Sequence, residues 1–219
     1  MKTLRLLSLL AGAFALSSPL PAADAAAGPS AESALQLLQQ GNYRFVHGVP
    51  LRPDQTTARR AEVAQGQHPF AIVLTCADSR VSPELYFDQG LGDLFVLRNA
   101  GNLIDDHVLG SIEYAVEHLH APLIVVAGHQ RCGAVSAAVE GGHAPGFIDS
   151  IVATIEPHLE HAAGEGADRI DQAVRAHARA TADDILRNSA LIRQRVAAGE
   201  VKIVAAYYSL DTGRIELLP

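Results

Sequence analysis

The stretch "VLTCADSRVSPE" (Val73 to Glu84) places Cys76, Asp78 and Arg80 at alternate positions at the end of an apolar run, and "GHQRCGAV" places His129 and Cys132 three residues apart at the end of another. Two thiols, an imidazole and a carboxylate make a donor set that zinc accepts, because the ion is borderline-soft, tetrahedral and bound by sulfur, nitrogen and oxygen alike. A His-x-x-Cys spacing on a turn that enters a helix lets both side chains reach one ion. That spacing is common by itself; its conjunction with Cys76-x-Asp78 at the end of a second strand is far more restrictive.

The competing use of the two cysteines is a Cys76–Cys132 disulfide, which an oxidising compartment would favour. It leaves Asp78, Arg80 and His129 without a shared purpose. Asp78 and Arg80 alone read as a surface ion pair of small worth. Beside a zinc ion Arg80 can hold the carboxylate bidentately, so that Asp78 either accepts a hydrogen bond from metal-bound water, an open site, or moves in to replace that water, a closed one.

These side chains meet only if the strands carrying them end on the same edge of a sheet. The runs "FAIVLT" (70–75), "LFVLRN" (94–99) and "LIVVAG" (123–128) are too continuous for a sheet with one wet face, and predict a parallel sheet covered on both sides. Between the second and third, Val108, Ile112, Ala115, Val116 and Leu119 recur at helical spacing, so strand, helix and strand imply a right-handed parallel crossover. Loops after the carboxyl ends of such strands gather on one edge, where ligands bind.

Around this centre, Ala34, Leu35, Leu38, Tyr43 and Val46 mark an amphipathic helix capped by Ser30 or Ser33 and ended by Gly48 and Pro50. A second helix is expected within 56–66, and a long helical region from about 145 to 198, broken near Gly164 and Gly166. "VKIVAAYYSLDTGRIELL" reads as a strand, a turn at Asp211 to Gly213 and a short final strand. The fold class that follows is α/β: a single domain with a mostly parallel central sheet, flanking helices and an antiparallel C-terminal edge strand.

The first residues have the form of a secretory signal peptide over 1–25: Lys2 and Arg5, an apolar Leu6 to Leu16 run too short for a stable membrane anchor, and Ala23-Asp24-Ala25 at the cleavage point. The mature domain is then 26–219, expected in a bacterial periplasm with no stable membrane anchor after cleavage. Cleavage removes two basic residues and one acidic one and moves the formal charge from −7 to −8. An acidic chain without a basic cluster is a poor partner for nucleic acid or anionic membranes.

Taken together, "CADSRVSPEL", "FDQGLGDLFVLRNAGN", "IEYAV", "GHQRCGA" and the C-terminal "KIVAAYYSLDTGRIELL" resemble the β-class carbonic anhydrases, in order and spacing, over nearly the whole mature chain. The resemblance implies Zn2+ held by Cys76, His129 and Cys132, with water or Asp78 in the fourth position, and Asp78 with Arg80 as the catalytic dyad. It implies that Gln67 hydrogen-bonds substrate or bicarbonate and that the Gly133 N–H faces the same pocket. Phe95, Ala100 and Tyr114 match positions lining an apolar carbon dioxide pocket, partly across a dimer interface; a homodimer or homotetramer is therefore expected. Arg98 and Tyr208 match two members of a regulatory bicarbonate triad, but Val73 stands where its tryptophan would be. Gln130 and Arg131 replace a commoner small polar pair.

The function implied is reversible hydration of carbon dioxide to bicarbonate and a proton by zinc-bound hydroxide. Two thiolates put more negative charge on the metal than three imidazoles would, so activity is expected to rise above neutrality. The alternatives are hydrolysis of carbon disulfide or carbonyl sulfide by the same kind of site, and a non-catalytic binding protein with a closed zinc site or a disulfide.

Overall fold

The computed structural model describes residues 28–141, 143–159 and 166–219. The expected signal peptide lies outside the described residues, as does Gly164. Among the described residues no helix is long and apolar enough to cross a membrane.

Among the described residues five strands form one sheet: β1 (Ala71–Cys76), β2 (Leu94–Asn99), β3 (Leu123–His129), β4 (Lys202–Tyr208) and β5 (Ile215–Leu218), in the order β2-β1-β3-β4-β5. The first four are mutually parallel and β5 runs antiparallel to β4, as the sequence predicts. Helix α4 (Asp106–Glu117), capped where the Asp105 side chain accepts from the Val108 amide, does link two parallel strands. Those strands are not neighbours, because β1 lies between β2 and β3.

Alternation along the strands divides the core. Ile72, Leu74 and Cys76 face the large cluster packed by α4, α5 (Gly133–Glu140), α6 (Ile148–Ile155), α7 (Gly166–Asn188) and α8 (Ala190–Ala197). Ala71 and Val73 face the other, built with α1 (Ala31–Val46) and α3 (Pro83–Tyr86). Ser30 caps α1 and Thr56 caps α2 (Thr57–Val63). Gly41 lets α1 lie against the chain after α3: a Cβ there would sit 1.7 Å from the Phe87 carbonyl oxygen.

Two expectations are modified. β1 and β3 are buried throughout, whereas β2 is only half-buried; it is an edge strand, so the apolar run predicts strand but not full cover within one chain. Tyr43 is on α1 but points outward, at 62% exposure.

Candidate metal centre

β1 and β3 pair side by side, Thr75 opposite Ala127, so their last residues, Cys76 and His129, emerge together on the carboxyl edge. Three residues after His129 the chain has reversed, through Arg131 at φ +54°, and Cys132 enters α5 as its N-cap. The Cys76 Sγ, a His129 ring nitrogen and the Cys132 Sγ all lie within 4.8 Å of one another, and all three residues are buried. Neither cysteine is in a disulfide, so the cross-link alternative fails.

Hydrogen bonding orients the imidazole. His129 Nδ1 lies 3.0 Å from the Gln130 carbonyl oxygen, which can only accept; Nδ1 therefore carries the proton and Nε2 presents its lone pair. Nε2 is buried and has no hydrogen-bond partner among the described residues. An orphaned acceptor beside two thiols is a costly arrangement for an apolar interior and a suitable one for a soft divalent cation.

The thiols share protons unequally. The Cys132 sulfur beside it, above all, and the Gly101 and Asp78 amides lower the Cys76 thiol against the opposing effect of burial. Cys132 is pushed up by the same contact, by burial and by the charge on Cys76. A cation that takes both sulfurs displaces the protons they carry, so its binding is favoured as pH rises.

Asp78 is beside the cluster, with Oδ2 3.9 Å from His129 Nε2. Arg80 holds both of its oxygens, Nε to Oδ1 at 2.9 Å and Nη2 to Oδ2 at 2.7 Å, and adds its own amide to Oδ1 at 2.9 Å. This pairing keeps the Asp78 carboxyl well below the usual carboxylate range, although burial opposes it.

The other expected site residues divide. Gly133 follows Cys132 directly as the first residue of α5, and Ala100 is exposed in the turn just after β2. Phe95 on β2 and Tyr114 on α4 face each other at a ring-centroid distance of 6.5 Å, with Tyr114 half-exposed. Gln67 is not brought to the cluster within this chain: it is exposed ahead of β1, while Cys76 ends that strand, a separation on the order of 20 Å at the rise of an extended chain.

Several residues support the centre in ways the sequence did not signal. Arg98 donates Nε to the Cys76 carbonyl at 3.1 Å and Nη2 to the Asp78 carbonyl at 2.8 Å, fixing the backbone of the first motif. Gln130 and Arg131 both bond Asp211, at 2.9 and 2.6 Å, tying the second motif to the turn between β4 and β5. Only their departure from the commoner pair marked them. Val73 is fully buried, and Tyr208 stacks on Tyr86 at 4.6 Å.

The carbonic anhydrase family model matches residues 71–215. The chain is 45% identical to carbonic anhydrase 2 of Mycobacterium tuberculosis over 189 residues, 84% of this chain and 91% of that protein. It is 47% identical to a carbonic anhydrase of Mycolicibacterium smegmatis, over 84% and 92% of the two chains. Among solved structures, a Coccomyxa β-carbonic anhydrase in complex with acetazolamide matches with a TM-score of 0.67 at 30% identity, over 72% of this chain and 75% of that one. One of two tetrameric β-carbonic anhydrases from Sordaria macrospora matches with a TM-score of 0.67 at 28% identity, over 73% and 85%.

Proposed function

The chain belongs to the β-class carbonic anhydrases, and from that premise we propose that it is a zinc enzyme interconverting carbon dioxide and bicarbonate at the Cys76, His129 and Cys132 centre. The observation that carries the reading is the buried, unpartnered His129 Nε2 within 4.8 Å of both sulfurs. These three side chains would hold the ion. When bound, zinc supplies a Lewis acid that makes water a nucleophile near neutral pH.

The chain's own residues do the rest. Asp78, ionised and held by Arg80, accepts a hydrogen bond and so orients the attacking group; with both oxygens engaged by Arg80 it stays beside the centre rather than in it, which favours the open arrangement. The Gly133 amide, at the start of α5, is a donor for the oxygen of bound bicarbonate. Phe95, Ala100 and Tyr114 supply an apolar wall for carbon dioxide, and Gln67 a polar contact.

Gln67 is remote from its own chain's centre, and apolar surface is left open on β2 and at Tyr114. Both support assembly as a homodimer or a larger oligomer in which Gln67 serves the partner subunit's site. Export to the periplasm rests on the pattern of residues 1–25, and cell fractionation tests it.

Stopped-flow carbon dioxide hydration by the mature protein at about pH 7 and about pH 8.5, with zinc quantified in the same sample, tests the function. About one zinc per chain with activity rising toward the higher pH is expected. Zinc without hydration at either pH would move the assignment to carbon disulfide or carbonyl sulfide, and absence of zinc would remove the metal reading.

A further inference from the structure

His177 is fully buried on α7 and takes no part in the reaction described above. Its Nε2 lies 2.6 Å from the Gly101 carbonyl oxygen, its Nδ1 lies 2.8 Å from His158 Nδ1, and His158 Nε2 lies 3.0 Å from Asp184 Oδ2. The Arg187 guanidinium holds the other oxygen of Asp184. The result is a chain of three hydrogen bonds running from the interior to the surface.

Its two ends fix the protons. A carbonyl only accepts, so His177 Nε2 donates; a carboxylate paired with arginine accepts, so His158 Nε2 donates. Between the facing Nδ1 atoms one must donate and one accept. Three ring protons on four nitrogens are needed, and two neutral imidazoles have only two. The pair therefore holds one positive charge, whose neighbours are Asp184, Arg187 and, further in, Cys76. His177 is fully buried, whereas His158 is partly exposed and stands 3.0 Å from the Asp184 carboxylate, so the geometry places the charge on the His158 side.

The inner end reaches the metal centre through Gly101. This residue turns the chain after β2 at φ +79°, where a Cβ would come within 2.9 Å of Ile155 Cδ1 and 3.3 Å of Ala134 Cβ. Its amide lies 3.5 Å from Cys76 Sγ. A carbonyl oxygen has no proton to pass on, so the chain cannot conduct protons to the site; it can only hold Gly101 in place.

We propose that His177, braced by a charge shared with His158 and countered by Asp184, is a positioning residue that pins the Gly101 carbonyl and so keeps the Gly101 amide donating to the Cys76 sulfur. That donor orients the sulfur, and a ligand held in position binds a cation more tightly than one left free to turn away. The proposal rests on Cys76 being a ligand.

Two readouts test it. In metal-free protein labelled with 15N-histidine, the imidazole nitrogen shifts of His158 and His177 count ring protons directly; three protonated nitrogens near neutral pH are expected, and two bare ones overturn the charged pair. In Co(II)-loaded protein, His177→Phe is expected to shift the thiolate-to-cobalt charge-transfer band and weaken Co(II) binding roughly tenfold. His177→Gln, whose amide can still donate to Gly101, is expected to restore both toward the parent values. A band and affinity unchanged in His177→Phe overturn the proposal. Should that variant not fold, Asp184→Asn at the outer end replaces it: loss of the third ring proton with a smaller band shift in the same direction supports the tether, and an unmoved band overturns it. Parent protein that binds no Co(II) would instead overturn the metal reading, with the nitrogen count left to judge the pair.

Discussion

Arg80 grips Asp78 at both carboxylate oxygens, 2.9 Å from Nε to Oδ1 and 2.7 Å from Nη2 to Oδ2, while Asp78 Oδ2 stands 3.9 Å from His129 Nε2. The carboxylate is thus held beside the three candidate ligands by its pairing with Arg80. Asp78→Asn should lose most hydration activity and keep its zinc, since the amide is a poor acceptor in this role and the ligands are untouched. Full activity in stopped-flow assays of that variant would rule out the dyad.

Arg80 sets the charge of Asp78 as well as its position. The folded-state pKa of Asp78 lies below its ordinary value because of the guanidinium, so the carboxylate stays ionised deep into the acid range. Arg80→Ala removes that support, and the folded pKa rises toward about 3.9. In metal-free protein the 13C carboxyl resonance of Asp78 should titrate at higher pH in the variant than in the parent. A titration unchanged from the parent would show that Asp78 is held ionised by something else.

Cys132→Ser should lose zinc, because a hydroxyl is a much weaker ligand than a thiolate for this ion. The melting temperature should fall with it, as metal binding is coupled to the stability of the loops that supply the ligands. Metal analysis decides the matter: zinc content equal to the parent's would exclude Cys132 from the centre.

His177 carries a stability prediction with a definite sign. Its folded pKa is depressed to about 4, burial being the main cause, against about 6.5 for an ordinary histidine. Below the higher value the unfolded chain takes up a proton that folded His177 refuses, so its contribution to stability is present above about pH 6.5 and lost as pH falls toward 4. The loss amounts to about 3 kcal/mol at most, at 1.36 kcal/mol per unit. Urea unfolding between pH 7 and pH 5 should show a steeper loss of stability in the parent than in His177→Gln; parallel curves would contradict this.

Tyr114 tests assembly. At 47% exposure, beside Phe95 on the half-buried edge strand, it is suited to an apolar interface, and Tyr114→Arg places a charge there. Sedimentation should shift toward monomer and hydration activity should fall, since Gln67 would lose access to a partner's site. A variant that sedimented as the parent does would remove Tyr114 from the interface.

What could be read from the sequence was local. Val73 to Glu84 and Gly128 to Val135 carry donor types at spacings that only need a strand end and a turn, and both are properties of short segments. Continuous apolar runs marked β1 and β3 correctly because those strands are covered on both faces. The same signal overstated the cover of β2, since periodicity reports that a strand is apolar and not whether this chain or another supplies its neighbour.

The amino-acid sequence by itself determined the parallel sheet, its antiparallel last strand and the three side chains that converge, because each follows from a pattern a few residues long. Tertiary structure alone decided that β1 lies between β2 and β3, that Gln67 is far from its own chain's centre, and that Arg98 and Asp211 hold the two motifs in place. It alone joined His177 to Gly101, 76 residues away, and to His158, 19 residues away. Such bonds form between segments brought together by packing, and no local spacing encodes which distant carbonyl a buried imidazole will meet.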